Sequence, residues 1–366
     1  MLLPSLAAAA SLLCMPQSGA GAPRWTAEQA NAWYAKQPWP VGCNFVPSSA
    51  VNDTEMWQKE TFDPTTIDRE VGWAQSLGFN TCRVFLQYIV WNADPRGFRS
   101  RFDRFLSIAS RHGMTVIPVL FDDCAFDANR EPYLGKQDDP IPGVHNSRWV
   151  PSPGHKLAVD TTAWPSLRKY VGDLVGGHRS DRRVLAWDLY NEPGNSGMGE
   201  KSLPLLEAVF GWAREAKPDQ PLTVGCWGGP KALEDREVEL SDVISFHFYG
   251  DHAGLAAHIE QFKKYGRPAI CTEWFARTFG SSMAADLPLF KAEKVGCACA
   301  ALVNGRIQTN FPWGSPPGGP EPKVWFHDLF RHDGTPYDPA EVAAIRKIIR
   351  QPSPSRSCST SHSSGS

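Results

Sequence analysis

Two glutamates follow short apolar runs at distant points of the chain. Glu192 lies in the run WDLYNEP at 187–193, and Glu273 follows the run PAICT at 268–272. A retaining glycosidase uses two carboxylates, roughly 5–5.5 Å apart, one to protonate the leaving oxygen and one to attack the anomeric carbon. Taken singly, Glu192 could instead cap a helix and Glu273 could form a loop salt bridge. As a pair at two strand ends they predict acid and nucleophile.

Tryptophan is the most informative feature of the composition. The chain has 14 Trp, and several stand beside Gly, Pro or polar residues, where loops are expected. Indole rings stack on the apolar faces of sugars and can donate a hydrogen bond to them. Core packing is the commoner role for any single Trp, but a cluster at strand ends favours sugar binding. The candidates are Trp91, Trp149, Trp227, Trp274 and Trp313.

Eight short, largely apolar runs must position these residues. Such runs are typical of parallel strands that are buried on both faces. The predicted strands are 41–46, 80–86, 115–121, 184–190, 222–227, 243–248, 269–273 and 297–303. Amphipathic segments alternate with them, so we predict an α/β protein with a single-domain (β/α)₈ TIM barrel rather than an open sheet. Strands four and seven then lie across the barrel mouth, which brings Glu192 and Glu273 together.

The predicted helices have recognisable start and stop signals. Thr26 and Gln29 have the spacing of a capping box for a helix over 26–37. Asp63-Pro64 starts a second helix and Gly78 follows its end. Further helices are predicted over 102–112, 165–175, 203–216, 254–265 and 340–349.

Three segments do not fit the alternation of strands and helices. Residues 1–22 resemble a signal peptide, so we expect a secreted or periplasmic protein, or a cytoplasmic one if this leader is not a signal. Residues 122–161 form a long loop after strand three, where a barrel places its active site. Residues 351–366 form a Ser-rich tail that we expect to be disordered. The barrel itself is expected over 23–350.

Charge and cysteine content narrow the class of protein. With 37 basic and 39 acidic residues among 366, the net charge is -2, which offers no electrostatic case for nucleic acid or an anionic membrane. We expect a neutral saccharide partner, no membrane span, no metal or other cofactor, and a monomer. Most cysteines lie in predicted strands and are expected as buried free thiols, although a Cys43–Cys82 bridge is an alternative.

The motifs together resemble clan A glycoside hydrolases, most closely family 5, the cellulase and mannanase family. The resemblance runs from about Gly42 to Trp313. It depends on Asn191-Glu192-Pro193 after an apolar strand, on Thr272-Glu273-Trp274 at a later strand end, and on their order in the chain. It implies a retaining β-glycoside hydrolase that acts on glucan-, mannan- or xylan-type saccharides.

The resemblance assigns roles to further positions. It implies that Arg83 bonds the nucleophile Glu273 and keeps it ionised, that Asn191 contacts the sugar 2-hydroxyl, and that Tyr249 donates to Glu273. His247 shares a strand face with Tyr249 and would contact substrate. Glu192, facing a carboxylate and flanked by apolar residues, is expected to have a raised pKa and to be protonated at rest. Trp227, Trp274 and Trp313 are the expected sugar platforms.

One feature departs from the family pattern. The family carries a Trp near the end of strand eight, whereas the run GCACAAL at 296–302 has no aromatic residue. Trp313 could replace it from the following loop. Two other functions stay open: a carbohydrate-binding protein with a retired active site, and a transglycosylase on the same barrel. A metal-dependent hydrolase using Asp122, Asp123, His145 and His155 is a weaker alternative, because their spacing fits no familiar site.

Overall fold

The computed structural model describes residues 22–127 and 130–351. Eight parallel strands pair in sequence order, and β1 also pairs with β8, so the sheet closes into a barrel. The strands are β1 Val41–Asn44, β2 Thr81–Phe85, β3 Thr115–Asp122, β4 Trp187–Asn191, β5 Leu222–Cys226, β6 Ile244–Phe248, β7 Ala269–Trp274 and β8 Gly296–Cys299. The predicted (β/α)₈ fold is confirmed.

Helices surround the barrel and fill the connections. They are α1 Ala27–Tyr34, α2 Asp53–Trp57, α3 Pro64–Leu77, α4 Tyr88–Ala93, α5 Pro95–Arg111, α6 His155–Val159, α7 Trp164–Gly177, α8 Leu203–Glu215, α9 Lys231–Leu240, α10 His252–Lys263, α11 Met283–Glu293 and α12 Pro339–Arg350. Within residues 22–127 and 130–351, none of them is long and apolar enough to cross a bilayer.

Local signals correctly predicted several helix ends. Thr26 and Gln29 form a complete capping box at α1, and Asp63 accepts hydrogen bonds from the first turn of α3, which ends at Gly78 with φ +92°. Helices α9 and α11 were not predicted. The first is rich in charged residues and the second contains Pro288, so neither has a clear apolar periodicity. The predicted signal peptide lies outside the described residues except for Ala22, and so does the tail beyond Gln351; both stay predictions.

The N-terminal end of the barrel is closed by apolar side chains. A buried cluster there consists of Ile117, Leu185, Val243 and Ile270. Trp33 and Tyr34, at the C-terminal end of α1, pack against it. The opposite end holds buried polar side chains instead. The barrel is therefore filled at the bottom and open for chemistry at the top.

Register shifts in the sheet decide which side chains face the barrel interior. They occur on β4 between Asp188 and Asn191, and on β7 between Cys271 and Trp274. A bulge of this kind breaks the strict alternation of side chains along a strand. On β7 it turns Glu273 into the barrel and directs Trp274 toward the surrounding helices.

The seven cysteines within the described residues are free thiols, as predicted. Cys43 and Cys82 are in-register neighbours on β1 and β2, yet they form no bridge. The other strand cysteines, Cys226, Cys271, Cys297 and Cys299, are also buried and free. They act as small apolar residues of the barrel wall.

Glu237 makes folding stability depend on pH. This side chain of α9 is buried beside the Cys226 thiol, and burial raises its pKa to about 8. Because the folded pKa exceeds the unfolded value, the contribution to stability is full below about pH 4.5 and is lost as the pH rises through about 8. We expect Glu237→Gln to unfold like the wild type at about pH 5 and to be more stable by about 1–3 kcal/mol at about pH 9.

The measurement is urea unfolding of both proteins across this pH range. Glu239→Gln, an exposed position on the same helix, is the control and should keep the wild-type pH dependence. Parallel stability curves for wild type and Glu237→Gln would show that Glu237 does not hold a proton in the folded state.

Candidate active site

A cavity of about 570 Å³ opens at the C-terminal end of the barrel strands. Seven of the predicted site residues line it: Asn191, Glu192, Trp227, His247, Tyr249, Glu273 and Trp313. Arg83 lies fully buried directly beneath them. Trp274 is the one predicted site residue that points away from the cavity.

Glu273 is held from two sides at the end of β7. Arg83 Nη1 donates to Oε1 at 2.8 Å, and the Tyr249 hydroxyl donates to Oε2 at 2.8 Å. These two hydrogen bonds fix the orientation of the carboxylate in the cavity. The pairings expected from the family resemblance are therefore present in the geometry.

Arg83 uses its whole guanidinium inside the barrel. Nε donates to Asp188 at 2.8 Å, Nη1 also reaches Asn44 at 3.0 Å, and Nη2 donates to Asn191 at 2.6 Å. Burial alone would lower the pKa of Arg83, but Asp188 and Glu273 outweigh it and hold the pKa above its ordinary value. Arg83 is thus a permanent buried cation that links β1, β2, β4 and β7.

Glu192 enters the cavity through an uncommon backbone conformation. Its φ is +46°, in the left-handed region that non-glycine residues rarely adopt, and its N–H donates to the Gly225 carbonyl at 3.1 Å. Such a conformation costs on the order of 1–2 kcal/mol and persists where neighbouring contacts fix it. Here it turns the carboxylate away from the following helix and toward β6 and β7.

The two carboxylates meet across His247. One carboxylate oxygen of Glu192, one of Glu273 and a ring nitrogen of His247 all lie within 4.8 Å of one another. His247 Nδ1 is 2.6 Å from Glu192 Oε1 and 3.7 Å from Glu273 Oε2. This separation is close to the roughly 5–5.5 Å used by retaining glycosidases and shorter than the roughly 6.5–9.5 Å used by inverting ones.

The expected raised pKa of Glu192 is wrong for this geometry. Burial does raise the pKa, but hydrogen bonds from His247, Cys124 and Asn195 act in the opposite direction and bring it below its ordinary value. The sequence indicated the apolar strand and the facing carboxylate, both of which raise the pKa of Glu192. It did not indicate these hydrogen-bond donors, which lower it. Among these donors, the His247 ring contributes most to the lowered pKa of Glu192.

Asn191 is fully occupied by protein partners. Its amide oxygen accepts from Arg83, and its amide nitrogen donates to Asp122 Oδ1 at 2.8 Å. Burial raises the pKa of Asp122 to about 7. Asn191 lines the cavity as predicted, but a sugar hydroxyl would have to share these bonds.

The five candidate tryptophans divide into two groups. Trp149, Trp227 and Trp313 line the cavity, and Trp313 is 41% exposed. Trp274 is 2% exposed and packs edge-on against Phe275 and Phe290, so its prediction as a sugar platform is wrong. The bulge on β7 is the cause. Trp91 is likewise a core residue.

The loop after β8 supplies the aromatic ring that β8 lacks. Trp313 lies 5.0 Å from the Tyr249 ring, edge to face, and its Nε1 donates to His145 Nε2 at 3.2 Å. Burial lowers the pKa of His145 to about 4, so this ring is neutral and can accept the bond. His145 is in turn fixed by the Phe311 carbonyl at 2.8 Å.

Several cavity residues were not predicted as site residues. Cys124 and Asn195 contact Glu192, Asn44 contacts Arg83, and His327 lies beside both Tyr249 and Trp313. Asn44 at the end of β1 could have been found, because a polar residue ending a buried strand is a recognisable signal. The others stand in loops whose path no local pattern predicts.

The residues of the metal alternative do not form a ligand set. Asp122 bonds Asn191 and Trp149, Asp123 accepts from Tyr190 and Ser202, and the two histidines bond backbone carbonyls. Each side chain already has a protein partner, so none is left to converge with the others on an ion.

Comparison with known proteins gives a match in structure only. No protein-family profile and no curated protein sequence matches the chain. A GH5_18 enzyme from Streptomyces cattleya, solved with Manb1-4GlcNAc, gives a TM-score of 0.59 at 15% identity over 86% of this chain and 82% of its own. An endo-beta-1,4-mannanase from Thermotoga petrophila gives 0.54 at 15% identity over 87% and 77%.

An exo-beta-1,4-mannosidase from Opitutaceae bacterium strain TAV5 gives a TM-score of 0.57 at 16% identity, over 85% of this chain and 59% of its own. The chain thus has the barrel fold of family 5 glycoside hydrolases. At such identities the likeness establishes the fold, and the chemistry has to be argued from the site itself.

Gly225 is the position where the site is most sensitive to added volume. A Cβ there would lie 3.0 Å from His247 Nε2, 3.2 Å from Arg83 Nη2 and 3.2 Å from Asn191 Oδ1. We expect Gly225→Ala to displace these side chains and to lower kcat by about tenfold or more, because misplacement by a fraction of an ångström is costly in a preorganised site. Steady-state kinetics would measure this.

Gly211→Ala on α8 is the matched control, since nothing lies within 4 Å of a Cβ there. It should keep wild-type kinetics. Unchanged kcat in a folded Gly225→Ala variant would mean that the three side chains tolerate displacement.

Proposed function

We propose that this protein is a retaining β-glycoside hydrolase with Glu273 as nucleophile and Glu192 as acid/base. The supporting observation is that the two glutamates lie close together. Glu192 directly follows β4, Glu273 lies on β7, and one carboxylate oxygen of each lies within 4.8 Å of the other. The two carboxylates accept hydrogen bonds from different donors. Arg83 and Tyr249 donate to Glu273, and His247 Nδ1 lies 2.6 Å from Glu192 Oε1.

In the first step Glu273 Oε2 or Oε1 attacks the anomeric carbon. The bond from that carbon to the leaving oxygen breaks, and the leaving oxygen takes the proton held between His247 and Glu192. A glycosyl ester on Glu273 results. Arg83 stays bonded to the nucleophile and limits its charge in the ground state.

In the second step Glu192 acts as a base. It takes a proton from a water that attacks the same carbon, and the ester bond to Glu273 breaks. The sugar leaves with its original anomeric configuration because two inversions have occurred. The lowered pKa of Glu192 suits this half, in which the residue must begin ionised.

The substrate class follows from the lining of the cavity. Trp227, Trp313 and Trp149 offer apolar faces beside polar groups, as a sugar ring requires. We propose a β-linked, uncharged saccharide of the glucan, mannan or xylan type. Three structures of the same fold are named for β-mannosyl substrates, so β-mannosides are the first to assay.

We further propose that the enzyme acts at chain ends. Glu192 protonates the leaving group, which therefore lies toward Asn195 and Trp227, and the retained sugar lies on the other side of Glu273. There the loop over 122–161 is joined to the loop after β8. Asn146 N–H donates to the Ile307 carbonyl at 2.7 Å, and Trp313 bonds His145.

Gln308 strengthens this closure. Its side chain accepts from the Gly143 N–H at 2.9 Å and donates to the Ile141 and Val144 carbonyls at 2.8 and 3.2 Å. With both loops tied together, we infer that the cavity ends behind the retained sugar. One terminal residue fits into such a closed end.

Removal of either carboxylate tests the mechanism. We expect Glu192→Ala and Glu273→Ala each to lower kcat on an aryl β-glycoside by about 10²–10⁴-fold or more. Azide should restore turnover in the Glu192 variant, because this small anion attacks the glycosyl ester without a base. NMR of the wild-type product should show the retained anomer.

Glu260→Ala, an exposed position on α10, is the control and should retain full activity. Full activity in either site variant would exclude the assignment. An inactive wild type that still binds saccharides would favour the carbohydrate-binding alternative, and products longer than the substrate would favour the transglycosylase.

Product patterns test the action at chain ends. We expect β-linked oligosaccharides and polymers to release the monosaccharide from the earliest time points, with little fall in viscosity. Gln308→Ala removes three loop contacts and should raise the share of longer products. Gln261→Ala, exposed on α10, should not. A rapid fall in viscosity with the wild type would show attack within chains and contradict the proposal.

A further inference from the structure

Cys124 lines the cavity but has no role in the proposed mechanism. It follows β3, and its N–H donates to Asp122 Oδ1 at 2.8 Å, which fixes the turn. Its Sγ lies 3.1 Å from Glu192 Oε2, and the Asn191 amide nitrogen lies 3.5 Å from the same sulfur. Among the cysteines that the structure describes, it alone lines the cavity.

The direction of the hydrogen bond is set by the surroundings of the thiol. Burial and the charges of Glu192 and Asp122 raise the pKa of Cys124 well above its ordinary value. The sulfur therefore keeps its proton, and that proton points at the carboxylate. Within residues 22–127 and 130–351, Glu192 Oε1 accepts from His247, and Oε2 accepts from Cys124 and Asn195.

We propose that Cys124 is a positioning residue for Glu192, whose S–H donates to Oε2, fixes the carboxylate and favours its ionised form. The inference rests on the proposed function, in which Glu192 must work as a base in the second step. A thiol is a weak donor, so it favours the ionised form moderately and still allows the proton to return for the first step.

Other ionisable groups also act on Glu192 and must be kept constant. His247 faces it from β6, Glu273 and Tyr249 from β7 and the end of β6, Asp122 from β3, and the buried Glu237 from α9. None of these is altered when Cys124 is replaced. A change in the titration of Glu192 then reports the thiol.

The first test is the pH dependence of kcat/KM on an aryl β-glycoside. On the alkaline limb of this profile, kcat/KM falls as the general acid of the free enzyme loses its proton, so the limb gives the pKa of that acid. We expect Cys124→Ala to move this limb upward by about 0.5–1 pH unit, because the ionised form of Glu192 loses a donor. Cys124→Ser restores a donor and should bring the limb back to within about 0.3 unit of the wild type.

Cys82→Ala is the matched control. Cys82 is also buried and lies next to Arg83 on β2, but by the alternation of the strand its side chain faces the helices. The Cys82→Ala substitution removes the same atoms as Cys124→Ala but leaves every contact of Glu192 intact, so the alkaline limb should not shift. If Cys124→Ala moves the limb no further than Cys82→Ala, or if Cys124→Ser moves it as far as Cys124→Ala, the inference is wrong.

A second test needs no turnover and separates this inference from the proposed function. Methyl methanethiosulfonate reacts with the thiolate, and mass spectrometry can follow its addition at Cys124. We expect Glu192→Gln to speed the addition by about threefold or more, since removal of the carboxylate charge raises the thiolate fraction. Glu200→Gln, exposed in the loop after β4, should react at the wild-type rate.

The two tests together separate the possible failures. If the wild type hydrolyses no glycoside but Glu192→Gln still speeds modification, the contact stands and the proposed function falls. If modification of Cys124 is equally fast in both proteins, the thiol does not donate to Glu192 and the inference falls, whatever the activity.

Discussion

The buried guanidinium of Arg83 is the interaction on which the site depends. It donates to Asn44 on β1, to Asp188 and Asn191 on β4, and to Glu273 on β7. A buried cation without such partners would cost several kcal/mol, so the four acceptors and the charge stabilise one another. Their cooperation fixes the relative height of three strands at the barrel mouth and thereby the place of the nucleophile.

This arrangement makes the two glutamates chemically unequal. Glu273 accepts from a permanent cation and a phenol, so its charge is always compensated. Glu192 accepts from the His247 imidazole, the Cys124 thiol and the Asn195 amide. A difference in partners, rather than in exposure, thus makes the two carboxylates chemically unequal. The same difference explains why apolar flanking residues were a poor guide to the pKa of Glu192.

The sequence predicted what depends on periodicity and order. Buried apolar runs located the eight strands, and the position of Glu192 and Glu273 at two strand ends was enough to bring them together. The sequence did not predict features that depend on local irregularities in the strands and loops. Trp274 directly follows Glu273 on β7. The bulge on this strand, which has no residue pattern that predicts it, determines that Glu273 rather than Trp274 faces the barrel interior. Likewise Cys124 reaches Glu192 from a loop 68 residues away in sequence, whose path is set by tertiary contacts.

The loop after β8 and the long loop after β3 meet at one side of the cavity. With small residues at 300–301, the cavity has space above β8, and Trp313 fills part of it from the following loop. Trp313 can hold this position because His145 of the β3 loop accepts its indole proton and is itself anchored on Phe311. The contact that places the aromatic ring therefore also ties the two loops together. The Trp313–His145 hydrogen bond thus fixes an aromatic ring at the cavity wall and the relative position of the two loops at the same time, so a change in either loop would alter both.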